Sequence, residues 1–494
     1  MDHEVVVVGG GIGGLTVAAL LAARGRDVCL LEREPHVGGC AASFEKFGYS
    51  FEPGYGLYAA WQADEIHARI FAELPVEPPE TRLLEPSYLV RLPDRSEVAI
   101  GANTEEFEND LRVTFPECAD EAVAFYRRLI AAGSALRHAF LRTPDLLSAS
   151  RPRRTYSLLP EGRAAAEILK AGWTTTLEQL AGTSARFRRF VDVQLQALAQ
   201  ANSSILAYLH AALALSAPRT GMFGIHGGAA ALADRLADSV KRSGGRIRLD
   251  TPVLRLAYDS SGSPVGVDLL SGETVHAPTI VSNLTFWDTY GKLVGLNRTP
   301  TEIRKRINAL RGWGAYLLYL SMEETAAAAL VSDHVLALTD WQNDREYEPE
   351  MNQFFFAAAP PWDSRAPAGK RAVTVHTFTD VDAWFTFHHD ETELEARDQQ
   401  MLEHCWERLH AALPELGGSV EVIDTATPRT FYDQTRRKLG MVGSLGPASS
   451  FWRDEPAYTT SFPNLFIVND TVYPGGIAGL TRSALVLANR LTGK

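Results

Sequence analysis

Gly9, Gly11 and Gly14 stand in the pattern GxGxxG, inside the run Gly9-Gly10-Gly11-Ile12-Gly13-Gly14. Glycines at that spacing hold a diphosphate. The first permits a tight turn, the second lets a pyrophosphate approach the backbone, and the third lets a helix pack close to a strand. The helix start, including Ile12 and Gly13, offers unpaired N–H groups and the positive end of a dipole to the phosphates. Glu32 follows at about the twenty-residue distance of a ribose-binding acid. Its carboxylate accepts hydrogen bonds from ribose hydroxyls and repels a 2′-phosphate, which disfavours NADP. A second glycine pair, Gly38-Gly39, lets another backbone segment approach an extended cofactor. NAD has no need of it there, whereas the diphosphate and ribityl chain of FAD do.

These residues need a frame, and the flanking pattern supplies one. Val5 to Val8 is a β-branched apolar run, the mark of a parallel strand buried on both faces. Leu15 to Arg24 has helical spacing. Val28 to Leu31 reads as a second strand with Glu32 at its end. The stretch from Phe47 to Tyr55 reads as a hairpin arm ending in a turn that contains Gly54.

On these residues the chain resembles the FAD-binding amine oxidase superfamily. Within it, Val37-Gly38-Gly39-Cys40-Ala41-Ala42-Ser43 through Gly54 is most similar to the phytoene desaturase, carotenoid isomerase and retinol saturase branch. Two further blocks carry the resemblance. Gly224-Ile225-His226-Gly227-Gly228 precedes a helix from Ala229 to Arg242. Strands follow at Arg246–Leu249, Pro252–Tyr258, Gly266–Leu270 and Thr274, with a buried run from Thr279 to Asn283. In the third block, Thr427-Pro428-Arg429-Thr430-Phe431 precedes Pro463–Asp470, an apolar strand ending in an acid. Pro474-Gly475-Gly476-Ile477-Ala478-Gly479-Leu480 and a helix to Arg490 come next.

The resemblance implies an α/β fold, with a Rossmann-type FAD-binding domain interleaved with a mixed-sheet plus helical substrate domain. It divides the chain into residues 1–75, 215–295 and 415–494 for FAD, and 76–214 and 296–414 for substrate. It implies cofactor contacts at Arg33, Cys40, Tyr55 and Asn283, and an adenine contact through the Val253 backbone. Asp470 would accept a ribityl hydroxyl. Backbone N–H groups near Gly476, Ile477 and Leu480 would face the flavin pyrimidine edge and stabilise negative charge there. Two positions depart from the family. Cys40 stands where many members carry arginine, as it does in the retinol saturase-like group, and is expected as a small buried residue beside the cofactor. Asn469 stands where glycine precedes the acid, and asparagine tolerates unusual backbone angles.

Residues 76 to 214 read as a separate helical region, with helices at Thr104–Leu111 and Ala119–Leu136. Basic and apolar residues mix from Leu136 to Leu159, which fits either a membrane-surface segment or a solvated helix face with its loop. Ala315–Leu320, Phe354–Phe356 and Val373–Phe378 read as sheet, and in relatives such a sheet floors an apolar cavity beside the flavin.

Other classes are disfavoured. With 60 acidic and 48 basic residues the formal charge is −12, the wrong sign for bulk nucleic-acid binding. Cys29, Cys40, Cys118 and Cys405 lack metal-ligand or disulfide-framework spacing and fit a reducing compartment. With no targeting segment or spanning helix read at the N-terminus, a cytoplasmic location is expected, with peripheral membrane contact left open. No metal is expected. His388-His389-Asp390 would point to opposite faces of a strand, and His404 and His410 are badly spaced for one helix face.

The expected chemistry is hydride transfer at flavin N5 to or from a lipophilic polyene or isoprenoid, as desaturation, saturation or isomerisation. Catalysis is mostly orientation over the ring. His226, beside two glycines, is the one acid/base candidate, with helix capping as its alternative. No second GxGxxG is present for NADPH, so a two-electron exchange uses oxygen, a quinone or another carrier, or the reaction is a redox-neutral isomerisation on reduced flavin. Two other readings remain. An amine oxidase would need a lysine at the flavin, and Lys292 and Lys305 read as surface. A Rab escort-type module would bind a prenylated partner without flavin chemistry.

Overall fold

The structure is a computed structural model. It describes residues 2–147, 149–309, 312–341, 349–350, 352–385, 391–442, 451–452, 459–471 and 475–493, and the elements counted below are those among these residues. His388-His389-Asp390 and Pro474 lie outside them.

Val5–Val8 is buried at every position and is the middle strand of a five-stranded parallel sheet. The strand order is Leu465–Ile467, Thr279–Ser282, Val5–Val8, Val28–Leu31, Arg246–Arg248. The continuous apolar strands follow from burial on both faces. Helices Ile12–Ala23, Gly228–Arg242 and Gly476–Thr492 cover one face. The antiparallel strands Val253–Tyr258, Pro264–Leu269 and Thr274–His276, with the turns after Phe286, cover the other. Three distant parts of the chain thus build one layered unit, as the interleaved reading requires.

A seven-stranded sheet forms a second layer, ordered Val420–Ala426, Trp313–Glu323, Lys370–Asp380, Gln353–Ala358, His334–Leu338, Tyr88–Arg91, Glu97–Ile100. It is antiparallel except where His334–Leu338 meets Tyr88–Arg91. Helix Glu391–Ala412 packs on one face of this sheet through Met401, Cys405 and Leu409. Phe355 and Leu336, on the other face, join a helical core that includes Thr104–Thr114, Ala119–Arg142, Ala185–Ala199 and Tyr208–Thr220.

The region from 76 to 214 is therefore not purely helical. It opens with Thr81–Leu84, which pairs with Met222–Ile225, and with two strands that extend the seven-stranded sheet. Tyr88 to Arg91 is buried at all four positions, too short a run to announce itself by alternation. Val420–Ala426, beyond residue 414, is likewise an edge strand of this sheet. Among the described residues no helix is long and apolar enough to cross a membrane.

Candidate active site

A cavity of about 2070 Å³ runs between the two layers. At its parallel-sheet end the loop after Val8 holds Gly9 at φ +98° and passes into helix Ile12–Ala23. A Cβ on Gly14 would sit 2.3 Å from the Gly9 carbonyl oxygen, so only glycine lets this helix lie against the strand. A Cβ on Gly11 would come within 2.6 Å of Asn283 Oδ1. No side chain caps the helix start, and its first turn carries no acid. Leu15 N–H is spent on Gly11 O at 2.9 Å, which leaves the N–H groups of Ile12, Gly13 and Gly14 to a ligand. Gly38 N–H donates to Gly10 O at 2.8 Å and so ties the second glycine pair to the first loop.

Glu32 ends its strand at the cavity wall. Its Oε2 accepts from Gly10 N at 2.6 Å, and Oε1 accepts from Glu34 N at 2.9 Å. Arg33 also lines the cavity, but its guanidinium donates to Gln434 O at 2.7 Å and Asp433 O at 3.3 Å, at the end of helix Pro428–Thr435. Cys40 exposes its side chain to the cavity rather than burying it in the core. Crowding by the surrounding protein pushes its thiol pKa up, against the opposing pull of Arg437. Asp470 faces the same space and is paired with Arg437, whose Nη1 lies 3.1 and 3.0 Å from its two oxygens.

At the far side of this corner Gly475, at φ +107°, starts helix Gly476–Thr492. This start also has no side-chain cap and no acid in its first turn. Gly479 N–H bonds to Gly475 O at 3.0 Å, so the donors left over are those of Gly476, Ile477 and Ala478. The expected donor at Leu480 belongs to the helix, although Leu480 lines the cavity. Asn469 holds no left-handed angle. It is buried, and its Oδ1 accepts from Thr471 N at 2.6 Å, closing a turn that its side chain makes itself.

Gly54, Tyr55, Val253 and Asn283 all border the cavity. Tyr55 stacks on Phe355 with centroids 4.4 Å apart and meets the edge of His376 at 4.7 Å. Glu52, missed by the sequence reading, is 6% exposed and also reaches the cavity. It accepts from Ala229 N at 3.1 Å, capping helix Gly228–Arg242, and pairs with Arg365 at 3.2 Å. Burial raises its pKa against that guanidinium. The cavity then continues between helices along Leu147, Leu198, Ile205, Leu206 and Leu213, an apolar arm crossed by the pair Glu65–Arg137 at 2.9 Å.

His226 is not brought to this site. It is exposed in the turn after Met222–Ile225, its N–H donates to Glu80 O at 2.9 Å, and it does not border the cavity. Lys305 lies on the surface against Glu302. Lys292 borders the cavity but is exposed, and is held by Asp288 at 2.9 Å and Arg436 O at 2.6 Å. Among the described residues no group of three His, Cys, Asp or Glu could hold a metal.

Two uncapped helix starts, a loop where a Cβ would collide, and two strand-end carboxylates converge on one cavity. That set fits a flavin dinucleotide lying across the sheet end. The chain matches the family described as flavin containing amine oxidoreductase across residues 12–492. The chain belongs to that family. It is a FAD-dependent oxidoreductase. It is similar to prolycopene isomerase of Daucus carota, 24% identical over 514 residues that cover 99% of this chain and 80% of that protein. It is also similar to all-trans-retinol 13,14-reductase of Danio rerio, 24% identical over 537 residues, covering 99% and 86%. A solved oxidoreductase from Methanosarcina mazei shares the fold, with a TM-score of 0.65 and 16% identity over 98% of this chain and 99% of that one. Arg437, beside Cys40 at the glycine loops, was also overlooked by sequence reasoning. It stands in the middle of three consecutive basic residues, Arg436-Arg437-Lys438, with no motif spacing to single it out.

Proposed function

We propose that this enzyme works on carbon–carbon bonds of a lipophilic polyene or isoprenoid, by desaturation, saturation or isomerisation. The observation that carries this reading is the apolar arm, which is continuous with the dinucleotide corner in a single cavity of about 2070 Å³. FAD, when bound, supplies a two-electron carrier that exchanges hydride at its N5. The protein's part is to hold and orient. The glycine loop and Glu32 would grip the adenosine half, with the Val253 backbone beside the adenine. Asp470 would take a ribityl hydroxyl, and the helix start at Gly476–Ala478 would face the pyrimidine edge. The apolar arm excludes water and aligns a long chain. Similarity to a carotene isomerase and a retinol reductase supports this substrate class. Desaturation in this reading passes two electrons from the reduced flavin to oxygen or a quinone, saturation needs a reduced carrier that donates two, and isomerisation exchanges none.

The test is the organic extract of carotenoid-accumulating cells with and without the gene, read for isomer and hydrogenation state, beside anaerobic flavin bleaching. A changed polyene profile is expected. Bleaching by primary amines with an unchanged profile would move the enzyme to amine oxidation, a reading the tethered Lys292 does not favour. A protein that changes no polyene and binds prenylated peptides would move it to the non-catalytic module.

The same reading places the enzyme in the cytoplasm, where its four unpaired cysteines stay reduced. It also brings the apolar arm to a lipid surface. Ile205 borders the cavity and is 43% exposed, and exposed Leu177 lies beside its segment, with Leu177 N–H donating to Ser203 O at 2.9 Å. Sedimentation with anionic vesicles is the check. Protein left wholly in the supernatant at low salt would remove this part.

A further inference from the structure

We propose that Arg437 binds the FAD diphosphate in this enzyme, reaching across the fold into the space that Cys40 leaves open. The inference rests on the FAD assignment and adds a residue to it.

The turn Gly39–Ala41 is fixed to the diphosphate loop. Gly38 bridges to Gly11, and a Cβ on Gly39 would lie 3.4 Å from Gly11 Cα. Any side chain at position 40 therefore projects beside the loop that would hold the phosphates. A thiol held in its neutral form puts no charge there. The guanidinium of Arg437 stands at that place, with Nη1 3.9 Å from Cys40 Sγ.

Its position is built. Arg436 adopts a left-handed conformation, φ +55°, that ends helix Pro428–Thr435 and turns the chain. Arg436 then pairs with Asp433 at 3.0 Å on a half-exposed side chain, while Arg437 turns inward to Asp470 on the cavity wall. Arg437 Nε donates to Met441 O at 2.9 Å and Nη1 to both Asp470 oxygens, and the side chain is 12% exposed. Arg33 clamps the carbonyls that end the same helix, which makes it a positioning residue for Arg437 rather than a phosphate ligand.

Charge gives the arrangement its purpose. Glu32 and Asp470 both face the corner, and a diphosphate adds more negative charge. The helix dipole meets it from one side. Arg437 meets it from the other and screens it from Asp470, in the forked geometry that suits phosphate oxygens.

The experiment measures FAD retained by the holoprotein on dilution, by recovery of flavin fluorescence. ADP and adenosine serve as competing probes. Arg437→Ala should release FAD with about 10–100-fold weaker affinity. It should weaken ADP equally while leaving adenosine unmoved. Arg437→Lys, which keeps the charge and its partner Asp470, should lose about threefold to tenfold. Cys40→Arg should weaken FAD by setting two guanidinium groups together, and Cys40→Arg with Arg437→Ala should recover most of the affinity. Unchanged FAD retention in Arg437→Ala, equal losses of ADP and adenosine, or a double variant no better than Arg437→Ala would each overturn the proposal. A wild-type protein that takes up no FAD would instead undo the cofactor assignment beneath it.

Discussion

Asn283 Nδ2 donates to the Val468 carbonyl at 2.6 Å, and the Oδ1 of the same side chain stands over Gly11. One carboxamide so joins the end of the strand Thr279–Ser282 to the glycine loop and to the last strand. These stretches lie hundreds of residues apart in the chain. The dinucleotide corner is held by this stitch as much as by the glycines themselves.

Asn283→Ala removes the donor and leaves the Val468 carbonyl unpaired in a partly buried place. A loss of about 1–3 kcal/mol is expected. Urea unfolding of the holoprotein, with flavin release followed in parallel, is the measurement. Flavin should leave at lower urea than the far-ultraviolet signal does. Coincident and unshifted transitions would show that the stitch is dispensable.

Glu32→Ala removes the acceptor for Gly10 N and Glu34 N as well as the proposed ribose contacts. Charge-assisted hydrogen bonds of this kind are worth about 1.5–3 kcal/mol, or about 10–150-fold in affinity. Glu32→Gln keeps the shape and should lose less. Fluorescence titration of FAD checks the order, and equal affinity across all three proteins would remove Glu32 from the site.

Gly14→Ala puts a methyl group 2.3 Å from the Gly9 carbonyl oxygen and 3.0 Å from Asn283 Cβ, so helix and loop must part. Overpacking costs about 1–3 kcal/mol, and the phosphate cradle opens with it. Flavin content at purification should fall. Gly418→Ala, which meets nothing within 4 Å, is the matched control and should load normally. Full loading of Gly14→Ala would contradict the packing described.

Three buried histidines give the fold an acid edge. Burial lowers His67 to about 4, helped by Arg482 and resisted by its bond to Ala60 O. Burial lowers His334 and His376 to about 3. The unfolded chain therefore binds more protons than the native one below about pH 6.5. The stability these groups contribute is present above that pH and drains away as pH falls toward 4 and 3. Between pH 7.5 and 5 each should cost about 2 kcal/mol. Urea midpoints at the two pH values test this, and His334→Gln should flatten the dependence. A midpoint that does not move would show that these rings are open to solvent in the native state.

The parallel-sheet half was legible because its signals are local and periodic. Val5–Val8, the glycine spacing and Glu32 each carry their meaning within a few residues. The resemblance of three short blocks then supplied their order. Tyr88–Arg91 was lost among helices because a short strand buried on both faces has no alternation to read. Asn469 was read as tolerance of an unusual angle. It is instead a side-chain turn that closes on Thr471, a choice made by hydrogen bonding after the strand is in place. His226 looked chemical because it sits among glycines, yet its turn faces solvent.

The sequence by itself determined a dinucleotide loop, its acid and a flavin-sized second glycine pair, since each depends on backbone freedom or side-chain type at fixed local spacing. Tertiary structure alone decided that Arg437 joins the charges at the loop. Arg437, paired with Asp470, reaches Cys40 from far along the chain, and Glu52 caps a helix that begins at Gly228. Burial sets those pairings, because a charge removed from water must find a partner wherever the fold brings one.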